Sequence, residues 1–353
     1  MSEASMRATL SFSDLLSVET GGMSLRNSAS YELLRKATNP LREAATKIAQ
    51  RNLHHFEVPS YMRRQHILTS YRAHHDLRSC LRSLLELHNE TLNVWSHLLG
   101  CMLFIVLLWY VSSAACAAGL PPAAASLERW PLYVFVISAL GCLSSSAIYH
   151  LCGTANERWF RRLESLDYVG IIGLIVGSCT PVAWYSFGGD HHLERSLYLL
   201  AIGLVGAIVM VGSLTGVLNR ASDSVRITLF VALALAGVAA LLHAAVVHEL
   251  SDRHVALIFG VTKMGLTYGL GVVIYATQFP ESVAPRTAFD RFGSSHQLWH
   301  ACVLLAAVCH FQTVYTLWRA TAEVMAQHVV AAPLAAAYDM REVPGASLHR
   351  FEL

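Results

Sequence analysis

Apolar residues in this chain gather in long unbroken runs, separated by short polar loops. Seven runs, 94–114, 131–151, 168–187, 196–218, 227–247, 254–276 and 296–318, reach the roughly 20 residues that a membrane-crossing helix needs. Lipid offers no hydrogen bonds, so each run must satisfy its own backbone polar groups, which a helix does. Barrel strands are about 10 residues long and alternate apolar with polar positions; these runs do neither. The pattern predicts an all-α integral membrane bundle of seven transmembrane helices. Composition agrees: 54% of residues are hydrophobic and 14% charged, against about 25% charged in soluble domains. Within the spans the only charged side chain is Lys263. A net charge of +2 gives no support for a nucleic-acid partner.

The spans divide the chain into a cytoplasmic amino-terminal tail (1–57), a seven-helix transmembrane domain (58–318) and a carboxy-terminal tail (319–353). Residues 1–30 mix Ser, Glu, Asp and Arg without an apolar core, which predicts disorder and no signal peptide. Asn39-Pro40 reads as a helix start, with the helix running to His54. Pro333 and Pro344 break the polar stretch after residue 318, so no eighth span is predicted.

Short loops on the cytoplasmic side carry the excess of Lys and Arg. With the amino terminus inside, that side holds ten arginines: Arg72, Arg78, Arg82, Arg158, Arg161, Arg162, Arg220, Arg226, Arg286 and Arg291. The other side holds four, Arg129, Arg195, Arg253 and Arg319. The count predicts a cytoplasmic amino terminus, the reverse of a G-protein-coupled receptor, and the Asp-Arg-Tyr and Asn-Pro-x-x-Tyr signatures of those receptors are also missing. The eight cysteines form no Cys-x-x-Cys pair. Cys101, Cys142, Cys179, Cys302 and Cys309 fall inside spans, where thiols act as small hydrophobes.

Polar residues inside a membrane are costly, so their positions carry information. The second span ends with Ser146-Ala-Ile-Tyr-His150, the third begins after Leu166-Asp167, and the seventh begins with His296-Gln-Leu-Trp-His300. Side chains four apart share a helix face. With alternating helix directions, the end of span two and the starts of spans three and seven lie at one depth, on the cytoplasmic side. His150, His296 and His300 can then converge as an open three-nitrogen zinc site with a fourth position for water. Asp167 can act as general base on that water, and Ser146 can hydrogen-bond the water or polarise a carbonyl. Taken singly, each feature has a plainer use: His-x-x-x-His as an interfacial helix cap, Ser146 as a packing residue, Asp167 as a first-turn acid. Their common depth favours the metal site. His310 lies deep in span seven and reads as a hydrogen-bonded packing residue.

These residues resemble the progestin and adipoQ receptor family, which includes adiponectin receptors, membrane progestin receptors, plant heptahelical proteins and fungal relatives. The first matching block is Leu87-His-Asn-Glu90-Thr-Leu-Asn93-Val-Trp95-Ser-His97. The second is Ser146-x-x-x-His150 followed by Leu166-Asp167-Tyr168. The third runs through Tyr275-Ala276, Pro280-Glu281, Phe289-Asp290 and Ser295-His296-Gln297-x-x-His300. Gln278 stands where the family often has Arg or Lys.

The resemblance implies zinc on His150, His296 and His300 with Asp167 near the metal water. It also implies a multi-pass protein of the plasma membrane or an endomembrane, whose partner is a membrane lipid, such as a ceramide or steroid, or an extracellular protein ligand. The leading function is a ceramidase-like, zinc-dependent lipid amide hydrolase; the alternative is a signalling receptor with a structural zinc. A haemolysin III-type channel is disfavoured, because only Lys263 could line an ion path. Glu90, Asn93 and His97 lie on one face entering span one. They either line the inner mouth or cap and anchor the helix. Lys263 reads as a relay or headgroup contact, a locally partnered lysine, or least of all a retinal attachment.

Overall fold

The computed structural model describes residues 53–72, 76–113, 119–120, 129–187, 191–248, 250–285 and 288–339, without the side chains of Met325 and residues 328–339. The expectations for residues 1–52 and 340–353 lie outside the described residues. Seven long helices cross the apolar layer: α1 Thr91–Ser112, α2 Trp130–Cys152, α3 Glu157–Ser186, α4 His192–Leu214, α5 Asp223–Val247, α6 Asp252–Thr277 and α7 Ser295–Asp339. Among the described residues there is no strand, only an isolated bridge between Leu53 and Tyr71. Large apolar side chains such as Ile105, Leu200, Ile208, Phe259 and Leu266 point outward, as lipid-facing positions do.

Three of the helices start where the sequence offers a first-turn proline or a capping side chain. Pro131 sits in the first turn of α2. The Asn156 side chain accepts the Trp159 N–H at 3.0 Å, and Ser222 caps α5 in the same way. The Asn156 cap and a Glu157–Arg161 ion pair start α3 well before residue 168, where its apolar run begins. A hydropathy window misses that polar first section. At the other end of the chain α7 continues past Trp318 to Asp339, because a helix can leave the apolar layer without breaking.

Close packing of α2 on α3 sets the register of the site. A Cβ at Gly170 would lie 2.8 Å from the Cys142 backbone, and one at Gly177 would lie 2.4 Å from the Ser138 Cβ. Membrane helices associate through such small residues, because lipid removes the hydrophobic drive between them. A core from α1, α2, α6 and α7 includes Phe104, Leu132, Phe135, Leu257 and Trp318. His310 donates from Nε2 to the Ser178 carbonyl at 3.0 Å, which joins α7 to α3 and bears out its packing role.

The chain before α1 closes one end of the bundle. Val58, Met62, Ile67 and Tyr71 pack on Tyr149, Phe160 and Leu163, at the end of α2 and in the first turns of α3. Arg72, only 1% exposed, bonds the Ser83 hydroxyl and the carbonyls of His150 at 2.5 Å and Leu151 at 2.8 Å. It thereby satisfies the open carbonyls at the end of α2, where a cation also suits the helix dipole. In the sequence this arginine was indistinguishable from an ordinary loop charge.

Candidate metal centre

The three histidines chosen by helix parity converge. His150 from the last turn of α2 meets His296 and His300 from the first two turns of α7, and their ligand atoms all lie within 4.8 Å of one another. Ring centroids are 5.0 Å apart for His150–His296, 4.7 Å for His150–His300 and 4.9 Å for His296–His300. His150 and His300 are buried and His296 is half-buried.

The outer nitrogens are already committed. Glu90 Oε2 accepts from His150 Nδ1 at 2.7 Å, and the Asn93 carbonyl accepts from His300 Nδ1 at 3.2 Å. Carboxylates and carbonyls only accept, so both Nδ1 atoms carry the proton and both Nε2 atoms present lone pairs. The Nε2 atoms of His150 and His296 lie 3.3 Å apart. Two nitrogens bound to tetrahedral zinc at about 2.0–2.1 Å are about 3.4 Å apart. The donor set and this spacing therefore fit a divalent ion such as zinc, held by His150, His296 and His300.

The block entering α1 gives the histidines their support. Glu90 Oε2 also accepts from Asn93 Nδ2 at 2.5 Å, and Arg64 lies 3.8 Å from Glu90 Oε1. Burial opposes ionisation of Glu90, but the hydrogen bond from His150 and the nearby Arg64 guanidinium outweigh it and hold the carboxyl well below the usual carboxylate range. His97 stacks on His300 with centroids 3.8 Å apart. Glu90, Asn93 and His97 thus do more than line a mouth or anchor a helix: they fix the tautomers and planes of two of the three imidazoles. Spacing placed them on one face but could not show which partner lay opposite.

Asp167 and Ser146 sit beside this centre. Both are buried, at 9% and 2% exposure. The Ser146 hydroxyl engages the Asp167 carboxylate. The carboxylate comes from α3, so it reaches the site across the tight α2–α3 contact at Gly170. A cavity of about 270 Å³ leads to His296 and Glu90, lined also by Arg64, Glu164, Tyr168 and Gln278. Such a polar path can carry water to a site within the apolar layer.

Other residues of the matching blocks hold the start of α7 in place. Glu281 accepts the Ser295 N–H at 2.7 Å and also the Ser295 hydroxyl, a carboxylate at a helix amino terminus. Asp290 accepts from the Thr69 N–H at 2.9 Å and its hydroxyl at 2.6 Å. Gln297 donates to the carbonyls of Asn89 at 3.0 Å and Arg291 at 2.8 Å. Lys263 is half-buried midway along α6, away from this end.

Comparison with known proteins agrees with this architecture. Residues 85–311 match the haemolysin-III-related family. Heptahelical transmembrane protein 1 of Arabidopsis thaliana is 32% identical over 272 residues, covering 74% of this chain and 80% of the relative. The adiponectin receptor protein of Drosophila melanogaster is 30% identical over 279 residues, covering 77% of this chain and 60% of the relative. Heptahelical transmembrane protein ADIPOR2 of Oryza sativa subsp. japonica is 38% identical over 205 residues, covering 55% of this chain and 86% of the relative. The chain belongs to the haemolysin-III-related family of seven-helix membrane proteins, alongside the heptahelical transmembrane proteins and adiponectin receptors.

Proposed function

We propose that this protein is a zinc-dependent lipid amide hydrolase of the ceramidase type, with its amino terminus in the cytoplasm. The reading rests chiefly on one observation. Three histidines present ligand atoms within 4.8 Å of one another, and a buried carboxylate, Asp167, stands beside them at membrane depth. An ion on His150, His296 and His300 supplies Lewis acidity, which activates a water and polarises an amide carbonyl. The chain's own groups do the rest. Asp167 takes the proton from the attacking water and returns it to the departing amine, as a general base and then acid. Ser146 orients the Asp167 carboxylate. Glu90 and the Asn93 carbonyl keep His150 and His300 in the tautomer that leaves Nε2 open. Acyl chains reach the site through the surrounding lipid, and water reaches it through the polar cavity.

The test is hydrolysis of ceramides by the purified full-length protein, before and after chelation and zinc restoration. Activity that disappears with the metal, returns with zinc and is absent from His300→Ala supports the reading. Full activity in the chelated His300→Ala protein overturns it. The match to an adiponectin receptor protein favours a second reading, a signalling receptor in which zinc is structural. In that case Asp167→Asn leaves metal content and signalling intact.

A further inference from the structure

A second group of ligand-type side chains lies at the other end of the bundle, unused by the site above. His191 immediately precedes α4, Glu194 is in its first turn, and His248 follows α5. One ligand atom from each falls within the same 4.8 Å limit that the buried triad meets. The His191 and His248 rings stack with centroids 3.4 Å apart, and His191 Nδ1 lies 3.9 Å from Glu194 Oε1. All three side chains are half-buried.

One nitrogen of this group has an unmet polar demand. His248 Nε2 is shielded from solvent and has no hydrogen-bond partner among the described residues. Nearby His243 Nδ1 is in the same condition, with its ring 6.4 Å from that of His248. Phe187, at the end of α3, packs its ring 5.9 Å from His248 and 5.8 Å from His243. Beside this aromatic wall, two imidazoles each have a nitrogen without a hydrogen-bond partner among the described residues. Such nitrogens are available to a cation that takes nitrogen ligands.

Phe187 also fixes the location. From Asp167, beside the triad, to Phe187, beside this group, the α3 backbone rises about 30 Å, which is the thickness of the hydrocarbon layer. The two groups therefore belong to opposite membrane surfaces.

We propose that His191, Glu194 and His248 form a second, surface-accessible site for a divalent transition-metal ion, at the end of the bundle opposite the buried triad. Two imidazoles and a carboxylate are a complete protein donor set for such an ion, with water in the remaining position. Stacked rings keep their lone pairs in nearly parallel planes, so binding turns one ring out of the stack until both nitrogens face the ion. Half-buried side chains at helix ends can make that turn. The ion then ties the start of α4 to the end of α5. On the orientation proposed above, it arrives from the non-cytoplasmic side.

The test is a zinc-edge anomalous scattering map of the full-length protein equilibrated with excess zinc. It is paired with zinc stoichiometry for wild type, His248→Ala and Glu194→Gln. The proposal expects two peaks in wild type, one at each end, and loss of the outer peak alone in both variants. A single peak at His191–His248 with none at the triad would still support this proposal, while contradicting the proposed function. A wild-type protein with no zinc at His191, Glu194 and His248 overturns it. So does a His248→Ala variant that keeps two equivalents.

Discussion

The two ends of the bundle offer similar atoms in different states of readiness. At one end His150 and His300, two of the three ligands, are held by partners that leave one nitrogen free. Glu90 and the Asn93 carbonyl fix two rings, and Arg72 secures the turn that carries His150. At the other end His191 and His248 stack on each other, and His248 Nε2 lacks a partner among the described residues. The first group has met the cost of ordering its ligands during folding; the second meets it on binding. Preorganisation of that kind separates tight from exchangeable sites, so the buried centre should hold its ion more firmly than the outer one.

The comparison breaks most completely at the ligands themselves. His300→Ala or His296→Ala should abolish both the tightly held ion and amide hydrolysis, read by metal analysis and product release, with the outer site still titratable. Next comes Asp167→Asn. It should retain the ion and the fold while lowering hydrolysis by about 10²- to 10⁴-fold, the range for a lost general acid–base group; unchanged turnover would remove Asp167 from the chemistry. Glu90→Gln sharpens the contrast, because it removes only the support. Metal affinity at the triad should fall about 10- to 100-fold, measured by competition with a chelator, and the outer site should not respond. Gly170→Val tests the packing that carries Asp167 to the site. Crowding of α2 against α3 should cost about 1–3 kcal/mol, seen as a lower thermal midpoint. His248→Ala should have the smallest effect, releasing the outer ion with little change in stability or hydrolysis.

The ends also differ in how readable they were. Seven spans and their order were legible because lipid permits only uninterrupted apolar helices, and hydropathy reports that directly. The triad was legible because His150 and the His296–His300 pair stand at corresponding positions on helices that alternate in direction. Hydropathy could not see the polar start of α3, which depends on the Asn156 cap, or the continuation of α7 beyond Trp318. It also could not show Arg72 inside the fold, since a buried arginine and a loop arginine are the same letter. Glu90 and Asn93 were visible as neighbours on one face, but their partners lie on α2 and α7. The outer group had no comparable signal. His191 and Glu194 are three apart, and His248 comes from a different helix end that only the folded chain brings near.

On the function proposed above, the triad at the end of α2 and the start of α7 holds a metal ion that drives lipid amide hydrolysis. The most direct measurement follows ceramide hydrolysis by purified wild-type protein through chelation and stepwise zinc restoration, with Asp167→Asn in parallel. Activity should vanish with the ion and return with zinc, and the Asp167→Asn protein should bind the ion while turning over about 10²- to 10⁴-fold more slowly. Hydrolysis that persists without the ion, or an Asp167→Asn protein as active as wild type, would contradict it.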